Sequence, residues 1–269
     1  MLEPASLVQE HYGSSDLVGR IMGALAAAGY DTSRPSVELF FPVDQLHPGG
    51  LNSTKIQAEL AGVTKSMRVL DAGCGIGGSA RFLAQTFGCQ VEAVDLTSEY
   101  VETAAHLNAL CRLEDKIVVR QGSVTELPYA DETFDLVWCQ NVTMNVSDKR
   151  SMFAEAYRVL IPGGRYTFTH AAQGPAGDPY YPLPWAREAS YSFLGAPEDN
   201  LAILKNAGFV VPECRIEQSA GGRMPAAATD GLGPSIAMGA DMPVRQANMA
   251  RSLKEGRLVF MLVVAERPA

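Results

Sequence analysis

The chain lacks any basic run longer than two residues, and its 22 Lys and Arg are outnumbered by 30 Asp and Glu, giving a formal net charge of −8. That balance excludes the cationic footprint of a nucleic-acid binder. No stretch approaches the roughly 18 uninterrupted apolar residues that read as a membrane-spanning helix. The opening "MLEPASLVQEHYGSSD" has no positive segment leading into an apolar run, so nothing there predicts export. The five cysteines, Cys74, Cys89, Cys111, Cys139 and Cys214, are scattered without a CxxC pair, which argues against a metal site and a disulfide framework. These absences predict a cytoplasmic chain whose partners are small molecules, with no nucleic acid, membrane or metal, working as a monomer or homodimer. What is plentiful is apolar: 47% of the 269 residues are hydrophobic, enough for a substantial core.

From Lys65 to Ala171, short apolar runs alternate with helix-length amphipathic stretches. The runs are "MRVLDA", "CQVEAVDL", "KIVVRQ", "FDLVWCQ" and "GRYTFTH". This is the pattern of an α/β, doubly wound, Rossmann-like parallel sheet with crossover helices. Gly88 reads as a C-cap, Ser98 or Thr97 as an N-cap, and Asp148 as the cap of "KRSMFAEAYRVL". Residues 1–64 read as a separate helical segment that closes over the site. It comprises a helix near Ser15 to Ala28, a Pro-punctuated loop "FFPVDQLHPGGLNS", and a short helix "TKIQAELAG" capped by Ser53. Residues 65–269 form the main domain. Within it, 171–195 is an insert rich in proline and aromatics that is neither mostly helix nor central strand. A helix closed by Gly208, a strand near "ECRIEQ", a Met-containing helix towards Leu253 and a last strand "RLVFMLVVAE" follow. Met238, Met242 and Met249 read as adaptable packing.

The stretch "VLDAGCGIGG", Val69 to Gly78, carries the chemistry. In a βαβ unit such glycines let the backbone approach a ligand and let the next helix start against the strand. Gly73-x-Gly75-x-Gly77-Gly78 alone suits either a dinucleotide or another nucleoside-bearing cofactor. Asp95, ending the next strand, can accept both ribose hydroxyls in either case. Asp71 separates the two, because a pyrophosphate at the turn would lie beside its carboxylate. At 4 Å and an effective dielectric near 20, that repulsion is about 4 kcal/mol before screening. S-adenosylmethionine offers an ammonium and a sulfonium instead of phosphates, and Asp71 attracts both.

The run from Arg68 to His170 resembles the class I S-adenosylmethionine-dependent methyltransferases. "VLDAGCGIGG" is similar to their first motif, "AVDL" to the ribose-binding acid, "QGSVTELPYADETFDLVWCQN" to the third and fourth strands, and "EAYRVLIPGGRYTFT" to the fifth. "DQLHPGGLNSTKIQAELAG" resembles the segment before the first motif in the sarcosine and dimethylglycine N-methyltransferase group. The resemblance implies a seven-stranded sheet with the last strand antiparallel. It also implies that Asp71, Gly73, Cys74, Gly75 and Gly77 surround the methionine half of the cofactor, with Asp95 and Leu96 on the ribose. Ser123 and Val124 would then meet the adenine, and Gln140 the methionyl part. Two positions depart from the group: Ser123 stands where Asp is frequent, and Asn145 where His is frequent. A serine hydroxyl still accepts a hydrogen bond, whereas Asn145 cannot act as a base.

Methyl transfer from a sulfonium is an in-line displacement, for which alignment is worth roughly 7–11 kcal/mol and no metal is needed. A base is required only when the acceptor arrives protonated. The candidates are His47 in the loop before the glycine motif, His170 ending the fifth strand, and Tyr12 ahead of the first helix. Asn145, Tyr180 and Trp185 are candidates for the acceptor, since aromatic faces favour a methylammonium group by about 0.5–2 kcal/mol each. The reading that results is a small-molecule methyltransferase acting on an amine nitrogen. An O- or C-methyltransferase of a phenolic, quinone or other natural product stands beside it. So do a noncatalytic S-adenosylmethionine-binding protein and an NAD-dependent oxidoreductase, the last disfavoured by Asp71.

Overall fold

A computed structural model describes residues 16–217 and 232–269. Three helices lead: α1 (Leu17–Ala27), capped by the Asp16 carboxylate on the Gly19 N–H, α2 (Val37–Asp44) and α3 (Gly50–Ala61). Helix α2 corrects the expectation of a continuous loop. Pro42 lies inside it and removes one backbone donor, yet Phe40 and Val43 are fully buried and the short helix is held by that burial. Ser53 is not a cap, because Gly49, at φ 84°, lets α3 begin at Gly50 and leaves Ser53 buried within it.

The main domain alternates as the sequence pattern requires. It runs β1 (Arg68–Ala72), α4 (Gly78–Phe87), β2 (Gln90–Asp95), α5 (Ser98–Leu110), β3 (Ile117–Gln121), β4 (Phe134–Gln140), α6 (Lys149–Val159) and β5 (Leu160–Gln173). It ends with α7 (Pro197–Asn206), β6 (Val210–Glu217), the single turn α8 (Ser235–Met238), α9 (Met242–Lys254) and β7 (Leu258–Glu266). One seven-stranded sheet has the order β3-β2-β1-β4-β5-β7-β6, with β7 antiparallel to both neighbours. The period of two along each strand splits the core between the faces. Leu70, Val137 and Phe168 pack under α6 and α7 with Phe153 and Phe209, whereas Val69, Leu136 and Trp138 pack under α3 and α4 with Phe82 and Leu83.

Two smaller clusters bracket the carboxyl edge of the parallel strands. One gathers Leu17, Ile21 and Leu25 of α1, Phe40 of α2, Ile76 of the glycine turn, Tyr100 of α5 and Met238 of α8. The other joins Leu183, Trp185 and Leu194 of the 171–195 region to Met249, Leu253 and Phe260. Among the described residues, no helix is long and apolar enough to cross a membrane.

Candidate functional site

A cavity of 370 Å³ opens at the carboxyl edge of β1, β2 and β4. Gly73, Gly75, Asp95, Leu96, Ser123, Val124, Gln140 and Asn145 all line it, so the structure brings eight of the residues singled out above to one place. The glycine turn is built from β2: the Gly73 and Cys74 N–H groups donate to the Val94 carbonyl at 2.8 and 3.0 Å. Gly73 has a φ of 82°, and a Cβ there would stand 2.3 Å from Val142 Cγ2. Gly73→Ala is therefore expected to cost about 2 kcal/mol of stability from the left-handed backbone and the overlap together, read from its urea unfolding midpoint.

Asp95 is fixed by two backbone donors. The Gly75 N–H meets Oδ2 at 2.8 Å and the Thr97 N–H meets Oδ1 at 2.9 Å. Burial raises its pKa and these amides oppose the rise. The carboxylate thus faces the cavity with its outer lone pairs available to a diol.

Asp71 lies behind the turn. It is 1% exposed, and its Oδ2 has no hydrogen-bond partner among the described residues. Burial first, and the Asp95 charge second, push its carboxyl up to about 7, against a hydrogen bond from the Ala80 N–H in the first turn of α4. Cys74 and Gly77 are also absent from the cavity wall. Cys74 is buried with its thiol pushed well above the ordinary value by that burial. Gly77 clears space for Arg81 instead, whose Nη1 would be 2.9 Å from a Cβ there.

Gln140 is buried, and its Oε1 accepts from Trp138 Nε1 at 3.1 Å and from the Ser79 hydroxyl, with Thr54 Oγ1 3.4 Å away. Its Nε2 has no partner among the described residues and belongs to a side chain in the cavity wall. The Ser123 hydroxyl is paired with Thr125 Oγ1 at 2.7 Å.

The catalytic and aromatic candidates lie elsewhere. His47 is half-buried beside Thr54, with Nε2 3.2 Å from Oγ1, and burial takes its pKa down to about 4. His170 does not end its strand: β5 runs on to Gln173, and the imidazole is fully buried against Phe168. Burial and the nearby Lys149 charge bring its pKa down to about 3, and neither ring nitrogen is hydrogen-bonded among the described residues. Both imidazoles are neutral near pH 7. Tyr180 donates to Glu255 Oε2 at 2.7 Å and lies under the Arg251 guanidinium, 3.8 Å from the ring centroid, away from the cavity. Trp185 is buried and donates to Ser192 Oγ at 2.9 Å. Tyr12 falls outside the described residues.

Other wall residues carried no motif. Leu46, Tyr100 and Met238 close the cavity from the helical segment, α5 and α8. Met238, expected as packing, is both: it is buried in the α1 cluster and lines the cavity. Asn141, at φ 56°, turns the chain out of β4 into the wall. A left-handed non-glycine residue directly after a strand is a feature that function-bearing turns tolerate.

The sheet order, the glycine turn after β1 and the carboxylate ending β2 define the class I, Rossmann-like methyltransferase fold. Residues 70–168 match the family model described as a methyltransferase domain. It is 33% identical over 141 residues to a sarcosine/dimethylglycine N-methyltransferase of Halorhodospira halochloris, covering 52% of this chain and 50% of that protein. The chain spans half or less of the length of the curated relatives it matches, from 19% to 50%. Two solved structures share the fold. The [4+2]-cyclase SpnF superposes with a TM-score of 0.71 at 21% identity, covering 100% of this chain and 98% of that one. The geranyl diphosphate C-methyltransferase of Streptomyces coelicolor A3(2) gives 0.66 at 20% identity, over 81% and 76% of the two chains.

Proposed function

We propose that the chain binds S-adenosylmethionine in this cavity and transfers its methyl group to the nitrogen of a small-molecule amine. The observation that carries the reading is Asp95. Its carboxylate is anchored by the Gly75 and Thr97 amides, and the unpartnered Asp71 Oδ2 and Gln140 Nε2 belong to the neighbouring strands β1 and β4. That set, two carboxyl acceptors and one amide donor, fits a ribose diol joined to a cationic amino acid, and the Asp95 charge repels a pyrophosphate. The cofactor supplies a methyl group on a sulfonium, which the acceptor lone pair displaces in line. The chain's own part is to hold and enclose: Asp95 orients the diol, Asp71 contributes negative field beneath the turn, and Leu46, Tyr100 and Met238 exclude water.

Asp95 and Asp148 are the charged groups among the described wall residues, a lining that favours a neutral or cationic acceptor. With Asn145 in the wall and both imidazoles outside it, an ammonium acceptor would lose its proton to solvent before transfer. The similarity to relatives named as sarcosine/dimethylglycine N-methyltransferases supports nitrogen as the acceptor atom. The helical segment before residue 65 is proposed as the closing element, and 171–195 as flanking the acceptor side. A cytoplasmic location, a monomer or homodimer, and independence from nucleic acid and membrane complete the proposal.

Calorimetry of the purified protein against S-adenosylmethionine, S-adenosylhomocysteine and NAD tests the cofactor. Release of labelled methyl to a panel of amines, phenols and quinones tests the transfer. Binding of NAD alone would end the reading. The neutral wall at Asn145 favours one second reading, a binding protein that transfers nothing; cofactor binding without transfer to any panel member would select it.

Asp71 adds a pH dependence. Its raised pKa leaves it neutral in acid, so attraction for a cation is absent below about pH 7 and appears above it. Affinity for S-adenosylmethionine is expected to rise roughly threefold to tenfold between about pH 6 and pH 8, a change that Asp71→Asn flattens in the same titration.

A further inference from the structure

The hydroxyl of Thr54, a fully buried residue of α3, is shared by two residues of the loop that follows α2. It lies 2.8 Å from Gln45 Oε1 and 3.2 Å from His47 Nε2. A hydroxyl has one proton to give, and the shorter contact takes it to Gln45. The other ring nitrogen of His47, Nδ1, is 3.5 Å from the Pro48 carbonyl, the longer of the two contacts, so His47 is the donor to Thr54, with its proton on Nε2. Beyond Gln45 the chain of donors continues: Gln45 Nε2 donates to Asp44 Oδ1 at 2.9 Å, and Arg81 Nη2 donates to Asp44 Oδ2 at 2.9 Å. Every hydrogen bond from His47 onward therefore points towards one buried carboxylate, a polarised arrangement in which each bond strengthens the next.

Leu46, between the two residues that Thr54 holds, lines the cavity. The same hydroxyl is 3.4 Å from Oε1 of Gln140, another wall residue.

We propose that Thr54 and His47 are positioning residues. Together they pin Leu46 into the cavity wall, so that the loop after α2 sets cofactor affinity, and His47 takes no part as a base. The inference rests on the cavity being the cofactor site.

Two measurements on the full chain test it. In protein carrying 15N-labelled histidine, the His47 ring, assigned by its loss in His47→Ala, is expected as the neutral Nε2–H tautomer at pH 7. By calorimetry, Thr54→Val should weaken S-adenosylmethionine binding about tenfold, one hydrogen-bonded clamp lost at nearly constant volume. Thr54→Ser should restore it. His47→Gln, whose amide N–H can still donate, should stay near wild type, while His47→Phe should match Thr54→Val. A charged or Nδ1–H ring at pH 7, or unchanged affinity in Thr54→Val, overturns the proposal. If wild-type protein shows the Nε2–H ring yet binds no S-adenosylmethionine, the clamp stands and the cofactor reading falls.

Discussion

Asp95→Ala is expected to raise the dissociation constant for S-adenosylmethionine by about 100-fold to 1,000-fold, roughly 3–4 kcal/mol for two charge-assisted hydrogen bonds to a diol. The carboxylate is already oriented by the Gly75 and Thr97 amides, so no ordering of its side chain is needed when ligand arrives. Asp95→Asn should be nearly as damaging. Both oxygens accept backbone N–H groups, so a carboxamide must turn its NH2 towards one of them and set donor against donor. The fold should survive, because Asp95 is a buried acid whose pKa is raised by that burial and whose charge is a cost to the native state. Calorimetry paired with urea unfolding separates the two effects. Near wild-type affinity in a folded Asp95→Ala protein would remove the diol from the site and, with it, the cofactor assignment.

The strands β1, β4 and β7 were legible because they are buried on both faces and so appear as apolar runs. "FDLVWCQ" is β4 residue for residue, and the Asp148 cap is realised on the Ser151 N–H at 3.0 Å. The glycine turn and the carboxylate of β2 were legible because their spacing is local. What escaped depends on contacts between distant segments. Met238 reaches the cavity only because α8 packs against α1. Tyr180 is drawn away from the cavity by Arg251 and Glu255 at the far end of α9. His170 was placed at the sheet edge because the polar Gln173 and the prolines beyond it obscure three further strand residues, which pair with β7 through Gln173 and Leu258. Helix α2 was hidden by Pro42, whose cost is offset by burial that no local pattern reveals. Even the glycines divide on this basis: Gly73 and Gly75 line the cavity, while Gly77 and Gly78 make room for the protein itself.

That last division predicts the largest loss of stability. Arg81 and Asp44 form an ion pair at 2.9 Å with both side chains fully buried, and Arg81 also donates to Asn108 Oδ1 at 3.1 Å. The pair ties α2 to the helix that follows the glycine turn. A Cβ on Gly78 would meet the Asp44 carbonyl oxygen at 2.4 Å, which is why the two segments can close up. Removing one partner strands the other charge out of water, so Asp44→Ala or Arg81→Ala should each lose about 3–5 kcal/mol in urea unfolding. Asp44→Leu combined with Arg81→Met should be markedly more stable than either single alanine variant, since an apolar pair of similar volume carries no buried charge. The double variant also separates stability from function. The donor chain from His47 through Thr54 and Gln45 ends on the Asp44 carboxylate, so a refolded double variant keeps the core but leaves Gln45 Nε2 without its acceptor. Its affinity for S-adenosylmethionine should therefore remain below wild type by about threefold to tenfold. Full recovery of affinity along with stability would mean that the ion pair serves the fold alone.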